Sequence, residues 1–306
     1  MTGTTTPGPT TPGPIARWVL GARPRTLAAS AAPVAVGTAL ASPELGDVGW
    51  GRAALALVVA LAAQVGANYV NDYSDGVRGT DERRSGPRRL TASGAASPQA
   101  VRLAAILAFT VAAVAGLVLS LLVNPWLLLL GVVVLVGAVA YSSGPRPLSS
   151  LGLGEVMVLV FFGIVPCVGS AYVQHEAVPS AAWWGSLLVG FLAVAILLAN
   201  NVRDVDTDAA VGKRTLAVRL GAAWSRRLYV AAIVVAFVLV APIGLDHAGA
   251  FAAWLAIPLA WRPIRTVTTA RDPGPLIQAL GDTGRLELMV TVALVAGIWA
   301  TAGAAL

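Results

Sequence analysis

Charge is scarce in this chain. Asp, Glu, Lys and Arg make up 12% of its 306 residues, where a soluble domain carries about 25%. Hydrophobic residues make up 57%, and the mean hydropathy is +0.77. That balance excludes an ordinary soluble fold and predicts a membrane protein. Cysteine is nearly absent. The single Cys167 lies in an apolar stretch, which excludes a disulfide framework or a cysteine metal site and reads as a small core residue. Histidine is as sparse: His175 and His247 fall in short loops beside Glu176 and Asp246, without metal-ligand spacing, and read as surface residues. The start, "MTGTTTPGPTTPGP", lacks the basic region and short apolar core of a signal peptide. Residues 1–16 are therefore expected as a disordered tail, ahead of one transmembrane domain over 17–306.

Long apolar runs are what the chain has instead. A bilayer crossing needs about 20 mainly apolar residues, and nine segments qualify, at roughly 25–42, 52–72, 99–122, 126–142, 152–173, 181–202, 225–244, 248–262 and 286–305. Pro166 and Pro242 fall inside spans, where kinks are tolerated if neighbours satisfy the freed carbonyls. Trp18, Trp50, Trp126, Trp183 and Trp184 fall at span ends, as an aromatic belt would. With nine crossings, every one of the 21 basic residues except Arg52 falls on the side of the N-terminus. The expectation is a multi-pass cell-membrane protein whose N-terminus and active-site loops are cytoplasmic. The net charge of +6 comes with no nucleic-acid recognition motif and with bases confined to one membrane face. Lipid headgroups and an anionic substrate are the partners this implies, with no nucleic acid and no obligate protein partner.

The acids are concentrated in two windows. Asp72, Asp75, Asp81 and Glu82 follow the second span, and Asp204, Asp206 and Asp208 follow the sixth, together seven of fifteen acids. Both windows open on asparagines (Asn68 and Asn71; Asn200 and Asn201), and both lie on the basic side. Asp72 and Asp75 are spaced i,i+3 and Asp204 and Asp208 i,i+4, so each pair shares a helix face. Like charges on one face at a membrane boundary repel. A divalent cation removes that cost, because Mg²⁺ takes one or two carboxylates and completes its shell with water and phosphate oxygens. Two such clusters facing each other suit a diphosphate, with Arg78, Lys213 and Arg214 placed to contact the same oxygens. A salt-bridged helix end is the plain alternative. Asp206 and Glu82 point off the shared faces, and for them a solvated charge is the simpler reading.

These residues resemble the UbiA superfamily of intramembrane aromatic prenyltransferases. The first motif is "NYVNDYSD" (68–75) and the second "DVDTD" (204–208). In many members the last acid of the first motif comes four residues after the second; here that position is Gly79 and the next acid is Asp81. "NDYSDGVRGTD", "ARPRTL" (22–27), "YSSGPRPLSSLGLGE" (141–155) and "NNVRDVDTDAAVGKRTLAVRLG" (200–221) look like the branch acting on 1,4-dihydroxy-2-naphthoate in menaquinone synthesis. "RRLTASG" departs from the Arg-Thr element of the haem-farnesylating branch. The resemblance implies an all-α membrane protein of about nine transmembrane helices around a central cavity open to the bilayer, a polyprenyl diphosphate donor and an aromatic acid acceptor. It also implies Mg²⁺, with Mn²⁺ as a substitute, and alkylation of the ring with loss of CO2 to give a demethylmenaquinone. Asp72, Asp75, Asp81, Asp204 and Asp208 would hold the metal. Asn68, Asn71, Asn200, Asn201, Arg78, Lys213 and Arg214 would contact the diphosphate. Tyr141 would face the cation or the acceptor, Arg25 the acceptor carboxylate, and Glu155 would serve as an ionisable group near membrane depth. Another acceptor, such as 4-hydroxybenzoate, stays open. A small-solute transporter would instead place charges at mid-span in broken helices, and the mid-span regions here are nearly free of charge.

Overall fold

In a computed structural model, the described residues are 13–79, 89–144 and 147–302. They are helical throughout, with no strand among them. The N-terminal expectation for residues 1–12 lies outside them. Residues 14–16, expected in the tail, already belong to α1 (Pro14–Ala22), which starts on a proline at its first turn. α2 (Pro24–Ala41) follows through Arg23, whose backbone is left-handed at φ 54° and ψ 69°. Pro24 disfavours a helical conformation at Arg23, so one residue separates two helices.

α3 (Trp50–Arg78) and α4 (Pro98–Leu122) are long and pack side by side. α4 is capped by Ser97, whose Oγ accepts from the Ala100 amide at 3.3 Å. α5 (Leu127–Ser142) is apolar on all sides. α6 (Gly154–His175) contains a π turn at Val160–Ile164 immediately before Pro166. The proline removes an amide donor, and the wider turn absorbs the mismatch. α7 (Ser180–Arg203) is the central helix, with Leu188, Leu192, Ala195 and Ala199 fully buried. Two short helices follow, α8 (Val205–Ala210) and α9 (Leu216–Leu220). α10 (Ala222–Asp246) breaks at Leu239, where Pro242 leaves the Val238 carbonyl without its helical donor. A 3₁₀ segment, Ala248–Ala256, leads into α11 (Ile257–Thr269), and α12 (Pro273–Ala302) closes the bundle.

Among the described residues, helical runs overlap each of the nine expected segments. Six helices among the described residues (α3, α4, α6, α7, α10 and α12) are long and apolar enough to cross a membrane. α2 has 18 residues and α5 has 16, at or below the length that a hydrocarbon core of about 30 Å requires. The last but one segment is split between 3₁₀ and α geometry.

Close approach of small residues holds the bundle, as expected where apolar burial alone cannot drive helices together. A side-chain carbon at Gly37 of α2 would lie 2.1 Å from the Cys167 carbonyl oxygen of α6. Gly163, in the π turn, lies against Gly190 of α7 in the same way. Cys167 is fully buried between these contacts. α1 leans on α3 through Trp18 and Tyr69, whose rings meet edge to face at 5.9 Å.

Candidate active site

α2, α3, α4, α5, α6, α7 and the α8–α9 segment surround a cavity of about 550 Å³. Most of its wall is apolar. Its polar end is formed by Asn71 and Asp75 of α3, Asn200, Asn201 and Asp204 at the end of α7, Asp208 of α8, and Lys213 in the turn that follows. The two acidic windows, some 130 residues apart in sequence, thus meet across one space. α8 makes this possible: the Asp208 amide donates to the Asp204 carbonyl at 2.8 Å, one helical turn that puts both carboxylates on the cavity side. Asp206, between them, is exposed. Lys213 Nζ reaches Asp75 Oδ2 at 3.3 Å and ties the second window to the first.

The carboxylates differ in what holds them. Asp204 is gripped by its neighbour Arg203, through Nε at 2.7 Å and Nη2 at 2.5 Å, with both side chains almost fully buried. Arg203 Nη2 also donates to Asn200 Oδ1 at 2.8 Å. This bidentate pair keeps a guanidinium inside the bundle and fixes the Asp204 carboxylate at the cavity wall.

Asp72 departs from its expected role. Its two oxygens accept the backbone amides of Leu90 and Thr91, each at 2.9 Å, and it does not line the cavity. It anchors the chain where that chain returns towards α4, and Arg89, the next residue back, lines the cavity. Two expected cations also lie elsewhere. Arg78 donates to the Ser142 and Gly144 carbonyls at 3.3 and 2.6 Å, and so caps the end of α5. Arg214 is exposed and outside the cavity lining, with its backbone held to Ser150 and Arg219. Of the three cations expected at the diphosphate, Lys213 lines the polar end.

Asn68 is spent on the junction of α1 and α2: its Nδ2 donates to the Ala22 carbonyl at 2.9 Å and to Thr26 Oγ1 at 3.3 Å. This is a helix-to-helix use of an amide, and Asn68 lines the cavity as well. Asn71 is held between Arg23 Nη2 and Ser142 Oγ, both at 3.1 Å, and faces the cavity. Tyr141 lines the cavity at the end of α5. Glu155 is buried behind the wall, with Oε1 accepting from Asn201 Nδ2 at 2.9 Å; it orients that amide and is not itself in the lining. Asp81 lies outside the described residues, as does the side chain of Arg25.

Cavity groups that escaped the sequence reading include Arg23, Arg89, Gln64 and Ser30. Arg23 sits in the "ARPRTL" stretch, and the left-handed turn that aims it could not be inferred from that stretch. Arg89 was one of a run of arginines without distinguishing context. Towards the far end the cavity is not fully closed over by protein: Leu117 of α4 and Leu128 and Val132 of α5 line it and keep 44%, 43% and 57% of their surface exposed.

The donor set fits a cation that brings its own partners. Among the described residues no group of three or more His, Cys, Asp or Glu side chains is close enough to hold a metal alone. One or two carboxylates with the remaining positions left to phosphate and water is how Mg²⁺ is commonly bound.

Comparison with known proteins bears on the family and the fold. The model of the UbiA prenyltransferase family matches residues 30–275. The 1,4-dihydroxy-2-naphthoate octaprenyltransferase of Mycobacterium leprae is 44% identical over 291 residues, which is 94% of this chain and 97% of that protein. The protein of the same name from Escherichia coli is 34% identical over 298 residues, 94% of this chain and 96% of its own. Among solved structures, a UbiA homolog from Aeropyrum pernix superposes with a TM-score of 0.69 at 17% identity, over 92% of this chain and 99% of that one. A UbiA homolog from Archaeoglobus fulgidus, solved bound to GPP and Mg²⁺, gives 0.66 at 15% identity with the same coverage. In sequence along most of its length and in fold, the chain belongs to the UbiA prenyltransferase family.

Proposed function

We propose that this chain transfers a polyprenyl group from polyprenyl diphosphate to 1,4-dihydroxy-2-naphthoate, releasing diphosphate and CO2 and giving a demethylmenaquinol, the reduced form of demethylmenaquinone. The observation that carries the reading is the cavity itself: one end gathers Asn71, Asp75, Asp204, Asp208 and Lys213, and most of the remaining wall is apolar. Near-full-length identity to naphthoate octaprenyltransferases supports the acceptor.

Asp75, Asp204 and Asp208 would hold Mg²⁺, with Mn²⁺ as a substitute, and Asp81 belongs to the same window of sequence. Bound there, the metal supplies Lewis-acid stabilisation of the leaving diphosphate. Lys213 adds a positive charge to the same oxygens. The apolar wall holds the isoprenoid and keeps water from the allylic carbon. Arg23, held against Asn71, offers a guanidinium to the acceptor carboxylate. The same reading has nine membrane crossings in one domain from residue 17 onward, a cell-membrane location and cytoplasmic site loops, with no nucleic acid and no obligate protein partner. Transfer to 4-hydroxybenzoate is the second reading.

The test supplies membranes containing the protein with labelled polyprenyl diphosphate and a panel of aromatic acids. The expected outcome is a prenylated product from 1,4-dihydroxy-2-naphthoate, lost with EDTA and restored by Mg²⁺ or Mn²⁺. Product from 4-hydroxybenzoate alone would replace the acceptor, and full turnover in metal-free buffer would remove the metal from the scheme.

A further inference from the structure

Deeper in the cavity than the acidic end, two buried polar atoms have no partner. They are Oε1 of Gln64 on α3 and Oγ of Ser30 on α2. Their residues are 7% and 4% exposed, and both line the cavity. Burial of an unpaired polar atom is costly, and such atoms in a folded protein call for an explanation.

The orientation of the Gln64 amide is fixed by what surrounds it. Nε2 donates both to Thr26 Oγ1 at 3.1 Å and to Asn68 Oδ1 at 3.3 Å. The Thr26 hydroxyl is itself committed as a donor, to the Arg23 carbonyl at 2.9 Å. Turning the amide over would set Oε1 against two oxygens with no proton to offer. Oε1 therefore stays on the side away from this network, as an acceptor whose partner must be a donor. Ser30 lies one helical turn beyond Thr26 on the same face of α2.

We propose that Gln64 and Ser30 form a hydroxyl-recognition subsite for the aromatic acceptor, in which Gln64 Oε1 accepts a phenolic O–H. This rests on the prenyl-transfer reading above and assigns the acceptor its place within it. The other cavity ligands do not fit. A diphosphate presents only oxygens, which an acceptor atom repels. An isoprenoid tail would leave both atoms dry and unpaired. Gln64 lies seven residues before Asn71, about 10 Å along α3, so the subsite is set off from the diphosphate end by enough to admit an aromatic ring between them. A phenol that donates to a carbonyl oxygen is also richer in electron density at its ring carbons, which favours attack on an allylic cation.

The test is direct binding, by calorimetry on the purified full chain, of 1,4-dihydroxy-2-naphthoate and of 2-naphthoate, which lacks both hydroxyls. Wild type should prefer the dihydroxy acid by on the order of tenfold, because a site built to pair with a hydroxyl rejects its absence. Gln64→Met, similar in size but without the acceptor, should bring the two affinities within about twofold while affinity for geranyl diphosphate with Mg²⁺ stays at the wild-type value. Ser30→Ala, a smaller change, should weaken the preference by about threefold. A wild-type protein without the preference, or a Gln64→Met protein that keeps it, overturns the subsite. If Gln64→Met binds no diphosphate and so is misfolded, Ser30→Ala decides, and an unchanged preference in that variant overturns the proposal. Turnover of labelled polyprenyl diphosphate by the same wild-type sample reports on the reaction separately: no product alongside a retained hydroxyl preference refutes the reaction and supports the subsite.

Discussion

Three residues along α3 separate two carboxylates with different surroundings. Asp72 accepts two loop amides, whereas Asp75 faces the cavity beside Lys213. Substitution should distinguish them. Asp75→Asn and Asp208→Asn are each expected to cut turnover on the order of a hundredfold and to raise the Mg²⁺ concentration for half-maximal rate, since each weakens charge stabilisation of the leaving group. Asp72→Asn should leave that Mg²⁺ dependence unchanged while lowering stability by about 1.5–3 kcal/mol, the worth of hydrogen bonds to a charged group. Asp206→Asn, at an exposed position, should stay within roughly tenfold of wild type. Initial rates against Mg²⁺ for the purified variants check this, and an Asp72→Asn protein with a shifted metal dependence would return Asp72 to the metal site. The sequence was informative where geometry is local. Asp204 and Asp208 could be told from Asp206 because a single short helix sets their directions. Asp72 and Asp75 could not be told apart, because positions i and i+3 differ by only about 60° around a helix. What divides them is a loop contact that spacing does not encode. The same limit hid the capping role of Arg78, whose carbonyl partners lie more than sixty residues away.

At the level of helices, apolar runs were a good guide to the middles and a poor guide to the ends. The run expected at 99–122 is the helix Pro98–Leu122, and 181–202 is Ser180–Arg203. The last run, expected from 286, begins at Pro273. Its first half carries Asp282 and Arg285 and reads as a polar loop, yet Leu276, Ala279 and Thr283 are buried against the bundle. α3 likewise runs six residues past the expected end at 72, because Asp75 and Arg78 are satisfied by neighbours instead of by water. How closely helices approach is also invisible in hydropathy. Gly37 permits α2 to touch the α6 backbone at Cys167. Gly37→Ala should therefore wedge the two apart and cost about 1–3 kcal/mol, as overpacking does. Gly51 has open space around its Cα, so Gly51→Ala should be neutral or slightly stabilising. Thermal unfolding in detergent measures both, and equal losses would refute the wedge.

For the molecule as a whole, the charge distribution predicts which face meets the cytoplasm. Ser93, in the segment before α4, and Glu176, between α6 and α7, are exposed and fall on opposite faces under the nine-crossing topology. In a Cys167→Ala background, Glu176→Cys should react with a membrane-impermeant maleimide on intact cells, and Ser93→Cys only after permeabilisation. The reverse pattern would invert the orientation. One feature of the wall reaches beyond the protein. Leu117, Leu128 and Val132 line the cavity and yet stay 43–57% exposed, so the protein alone does not close the cavity around them, and in a bilayer acyl chains would complete the wall. The bilayer is then part of the container: how tightly its lipids press on α4 and α5 sets the room available to the isoprenoid. Rates measured in a micelle and in a membrane therefore describe reaction vessels of different shape.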